Sequence, residues 1–81
     1  MSDDNRRLND ADMAYVRGIL RKKWVRAAFS ADEDAVTNLL RFYRHAGYSR
    51  RQVIEAAKQS HNWTSFRSEM TVVGPPEFEV F

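Results

Sequence analysis

Residues 30–61 read SADEDAVTNLLRFYRHAGYSRRQVIEAAKQSH, and this stretch decides the fold because it encodes two helices that meet at Gly47. In Ser49-Arg50-Arg51-Gln52 the Ser49 side chain can cap the helix start while Gln52, at the third helical position, reaches back to the Ser49 N–H. A helix begins there. Tyr48 before the cap and Val53 at the fourth helical position have the spacing of a hydrophobic staple, which fixes how the chain enters the helix. Gly47 ends the preceding helix, since glycine adopts the left-handed conformation of a helix terminus without steric cost. Upstream, Ser30 and Glu33 repeat the capping-box spacing, and Asp32, Glu33 and Asp34 place negative charge where a helix N-terminus favours it. The spacing therefore predicts helices over residues 31–46 and 50–61.

A chain of 81 residues is one domain, and on folding it hides only about 60 % of its unfolded surface, so a partner or a homodimer would add to a thin margin of stability. Its 43 % hydrophobic and 30 % charged content is globular. With no cysteine there is neither a disulfide framework nor a thiolate metal site. Nothing apolar is long enough to cross a bilayer, and Met1-Ser2-Asp3-Asp4 is not the basic lead of a secretory signal, which predicts a cytoplasmic protein without a membrane partner.

Net charge is only +2, but its distribution is uneven. Residues 17–58 hold ten basic side chains against four acidic ones, whereas the remainder holds three against seven. A cationic middle between anionic ends points to a charged partner.

Ahead of the deciding stretch, residues 1–8 lack periodicity and are expected to be a flexible segment. Asn9 or Asp10 can cap a first helix reaching Phe29, with Met13, Val16, Leu20, Trp24 and Ala27 as its buried stripe and Tyr15, Ile19 and Phe29 widening it. Gly18 inside this helix suggests close approach by another backbone. Arg17, Arg21, Lys22 and Arg26 lie opposite the stripe, and the four-residue separation of Arg17 and Arg21 is a repulsion that an anion would relieve. In the second helix Val36, Leu39, Leu40, Tyr43 and Ala46 face inward, Arg41 and Arg44 face outward, and Phe42 stands off the stripe. The third buries Val53, Ile54, Ala57 and His61.

Beyond His61, Asn62 terminates the helix and Thr64 can cap a short fourth, from which Trp63, Phe66 and Met70 close the open side. Thr71-Val72-Val73 favours extended backbone, Gly74-Pro75-Pro76 breaks it, and Glu77-Phe78-Glu79-Val80-Phe81 alternates like a strand. The fold class is all-α: a compact three-helix bundle over residues 9–70 with a short fourth helix, and an irregular or β-hairpin C-terminal tail over residues 71–81.

Enzymatic activity is not expected. His45 and His61 are the two histidines, neither has an acid or nucleophile at a catalytic spacing, and His45 suits the negative end of its helix. There is no zinc-ligand set and no glycine-rich phosphate loop, so no metal and no cofactor are predicted.

A helix, a glycine turn and a second helix opening Ser-Arg-Arg-Gln resemble helix-turn-helix regulators over residues 35–61. The resemblance implies that Arg50, Arg51 and Gln52 reach base edges, arginine to guanine and glutamine to adenine. Arg41, Arg44, Lys58 and the Arg21-Lys22-Lys23 cluster would then meet phosphates. The sequence departs from that motif where Tyr43 occupies the tight contact that wants a small residue. A small DNA-binding regulator is thus one reading. The alternative is a protein-binding adaptor or inhibitor of the kind phages and mobile elements encode, because ten aromatics beside arginines are the composition of interface anchors. Trp24, Phe42, Tyr48, Phe78, Val80 and Phe81 are the candidate anchors.

Overall fold

The computed structural model describes residues 6–78, with Ala28 by its backbone alone. Four helices follow one another: α1 Asp10–Lys23, α2 Arg26–Ala46, α3 Arg50–Gln59 and α4 Trp63–Val72. The all-α expectation holds, and among the described residues there is no strand, only an isolated bridge pairing Arg7 with Ser49. Residues 79–81, the far end of the expected hairpin, lie outside the described part. Thr71 and Val72, read from sequence as extended, instead close α4, which is as long as α3.

The Gly47 corner forms as its residues dictate. Gly47 has φ 98°, and the Tyr48 N–H donates to the Tyr43 carbonyl at 3.1 Å while the Gly47 N–H donates to Arg44 at 3.2 Å. These are the paired bonds of a Schellman ending, which satisfy carbonyls the helix leaves open. Ser49 and Gln52 form the reciprocal capping box, and Asn9 with Asp12 and Asn62 with Ser65 do the same for α1 and α4.

The first corner lies elsewhere than the sequence suggests. α1 stops at Lys23, and Trp24 takes an extended backbone (φ −85°, ψ 152°), so α2 starts at Arg26 behind Val25, which provides no side-chain cap. The cause is tertiary. Trp24 turns its indole into the core, edge-on to Phe29 at 6.0 Å and Phe66 at 6.3 Å, and its ring N–H donates to the Ser60 hydroxyl at 3.0 Å. Ser30 and Glu33 thus fall inside α2, and Glu33 reaches across to α1, bonding Arg17 at 2.8 Å and approaching Arg21 at 3.5 Å. The expected Arg17–Arg21 repulsion is relieved internally by that one carboxylate. A Cβ on Gly18 would meet nothing within 4 Å, so no backbone approaches it.

Side-chain pairings give the relative directions. Asp10 meets Arg44 and Arg17 meets Glu33, so α1 and α2 are antiparallel; Asp12 meets Arg50 and Trp24 meets Ser60, so α1 and α3 run parallel. Gln52 touches the chain just after α4, which makes α3 and α4 antiparallel. The core they enclose is built on Leu20, Leu40 and Phe66, with Val16, Val36 and Val53 also fully buried. His61, expected on the apolar line, is exposed because α3 ends at Gln59 and Ser60 takes the buried position. Among the described residues no helix is long and apolar enough to cross a membrane.

Candidate binding surface

The start of α3, where base-reading residues are expected, is engaged by the chain itself. The buried Gln52 accepts from the Ser49 N–H at 3.1 Å and the Glu77 N–H at 3.3 Å, and its amide donates to Pro75 at 2.7 Å and Val73 at 3.4 Å. Its donors and acceptor are occupied. Arg50 bonds Asp12 at 3.2 Å and lies over the Tyr15 ring at 5.4 Å, while Arg51 pairs with Glu77. Both terminal segments wrap this corner: Arg6 accepts the Arg50 N–H at 2.8 Å, and the Phe78 N–H donates to Gly47 at 2.9 Å. At the centre sits Asp12, 3 % exposed, held by Arg6, Arg50 and the Asn9 N–H.

The remaining basic residues divide into two groups. Arg44 pairs with Asp10 at 2.9 Å, and Arg21 lies beside Glu33 and over the Phe29 ring at 5.4 Å. Arg41, Lys22, Lys23 and Lys58 are exposed and meet no carboxylate among the described residues. Because α1 and α3 are parallel, Lys22, Lys23 and Lys58 stand at one end of the molecule, where they also offset the negative ends of both helices.

The aromatic candidates separate as sharply. Trp24 is a core residue at 3 % exposure and cannot anchor a partner. Phe78 is half-buried with Arg7 over its ring at 5.6 Å, and Val80 and Phe81 lie outside the described residues. Phe42, in contrast, is 63 % exposed although it is among the largest apolar side chains of α2. It stands at the lip of a groove of about 540 Å³ between α2 and α4, with Leu39, Tyr48, Trp63 and Met70 along the walls. Tyr43 forms part of the floor, its ring edge-on to Phe42 at 5.9 Å, Tyr48 at 5.2 Å and Phe66 at 6.0 Å. The bulk that departs from the helix-turn-helix pattern is thus what shapes the groove. Burial raises the Tyr43 phenol above its ordinary pKa, and the Arg67 charge pulls it partly back. The phenol therefore stays protonated at neutral pH.

The sequence offers Phe42 and Tyr48 as anchors but not Arg67, which also lines the groove, and it assigns Trp63 to closing the bundle. A lone arginine on a polar helix carries no periodic signal; only the fold places it opposite Phe42. Among the described residues there is no group of histidines, cysteines and acids that could hold a metal ion. Comparison with protein-family models, with curated proteins and with solved structures found no match, so the functional reading stands on these side chains alone.

Proposed function

We propose that this chain is a non-enzymatic protein-binding module whose contact surface is the α2–α4 groove. The observation that carries this reading is Phe42. A phenylalanine left 63 % exposed beside an aromatic-walled groove is the kind of anchor that dominates interfaces, where a few large side chains in desolvated pockets supply most of the binding energy. Phe42→Ala is expected to weaken capture of the partner by about thirtyfold or more, the loss of a hot-spot residue, in a nuclease-treated pull-down, while the melting temperature stays within a few degrees. Capture unchanged by this substitution removes Phe42 as an anchor. Deleting residues 77–81 is a poorer test, because Glu77 and Phe78 are bonded to the Gly47–Gln52 corner.

A nucleic-acid-binding regulator is the second reading, supported by the exposed Lys22, Lys23 and Lys58 at one end, which meet no carboxylate among the described residues. Such binding would run through phosphates. Base readout by Gln52 would require its four hydrogen bonds to break. Replacing the three lysines by glutamate is expected to flatten the slope of log affinity against log salt by about 2 to 3 for a duplex, read by fluorescence anisotropy. An unchanged slope would take these lysines out of contact with DNA.

A further inference from the structure

We propose that the α2–α4 groove selects a peptide segment in which apolar side chains accompany a carboxylate, and that Arg67 is the residue that makes this selection. The inference rests on the protein-binding reading and deepens it. Among the described residues Arg67 is the one charged side chain lining the groove, and no acid lines it. Six arginines, Arg6, Arg17, Arg21, Arg44, Arg50 and Arg51, each meet a carboxylate of their own chain, whereas Arg26 and Arg41 lie outside the groove and meet none among the described residues. Arg67 meets none among the described residues. Arg67 shares the groove lining with the buried Tyr43, close enough for its charge to oppose the rise that burial causes in the phenol's pKa.

The chemistry that satisfies this arrangement follows from the parts. Phe42, Leu39 and Trp63 offer apolar area to aromatic or aliphatic side chains, and an occupant seated on them would strip water from the Arg67 guanidinium that lines the same groove. A carboxylate restores the lost hydrogen bonds and can do so with two parallel N–H donors. A lysine-bearing segment would bring like charge into the same desolvated space, which suppresses wrong partners. One guanidinium suits a sparsely acidic peptide; a polynucleotide would bring a charge at every phosphate to a groove with a single cation.

The experiment is selection of displayed random twelve-residue peptides on the immobilised whole chain, repeated on Phe42→Ala and Arg67→Glu. Peptides enriched on the unmodified chain are expected to combine aromatic or leucine residues with aspartate or glutamate. Arg67→Glu should lower the affinity of those peptides by about tenfold or more, the range for losing a hydrogen bond to a charged group, and should enrich lysine or arginine instead. Arg67→Gln, which keeps the length of the side chain, should lose the acidic preference and gain no basic one. Enrichment without acidic bias, or one unaltered by Arg67→Glu, overturns the role of Arg67 while leaving the groove as a binding site. Peptides retained equally by Phe42→Ala, or no enrichment on the unmodified chain, overturn the groove itself.

Discussion

Replacing Asp12 by alanine is expected to lower the unfolding free energy by about 3 kcal/mol and the melting temperature by on the order of 15 °C. The carboxylate is 3 % exposed and joins three parts of the chain: it completes the Asn9 cap of α1, holds Arg6 with an Nη2–Oδ1 distance of 2.6 Å, and fixes Arg50 at 3.2 Å. Removing one member of such a set leaves guanidinium groups short of their partner. The effect stays near the lower end of the buried-pair range because the Arg6 and Arg50 side chains keep 40 % and 23 % of their exposure and can turn to water. Urea titration measures it directly: the midpoint should fall with little change in slope. A loss below about 1 kcal/mol would mean the cluster behaves as an ordinary surface pair. The same variant bears on function. It releases Arg50 from Asp12, so tighter duplex binding by Asp12→Ala would revive the start of α3 as a nucleic-acid contact.

What was legible in the sequence was whatever depends on neighbours along the chain. Gly47, Ser49 and Gln52 specify their corner through bonds spanning three to five residues, and those bonds form as expected. The capping-box spacing of Ser30 and Glu33 is equally local, yet a helix runs through it, because a cap forms only where the backbone has already left the helix. What ends α1 is Trp24, whose partners Phe66 and Ser60 lie about forty residues away in sequence. The local trace of that corner is Arg21-Lys22-Lys23, three cations in the last turn where the helix dipole favours them. The candidate site divides in the same way. Phe42 is visible as a large apolar residue off its helix stripe, whereas the occupation of Gln52 by Val73, Pro75 and Glu77 needs the chain to fold back on itself.

Trp24→Ala is expected to cost about 4 kcal/mol, enough to remove much of the stability of so small a domain. The indole is 3 % exposed, packs edge-on against Phe29 of α2 and Phe66 of α4 and donates to Ser60, so alanine leaves a cavity between α2, α4 and the end of α3 and strips the Ser60 hydroxyl of its donor. Because this side chain also sets where α1 stops, a small shift of one helix does not close the cavity. Chemical unfolding should show the loss, and Trp24→Phe should recover part of it by refilling the space without restoring the N–H. Phe42→Ala supplies the contrast, with an expected change within about 0.5 kcal/mol, the usual size for an exposed position. The sequence offers both residues as anchors, Trp24 on the apolar stripe of its helix and Phe42 off it. If Phe42→Ala proved as destabilising as Trp24→Ala, Phe42 would be part of the core in solution, and the groove between α2 and α4 would be closed to any partner.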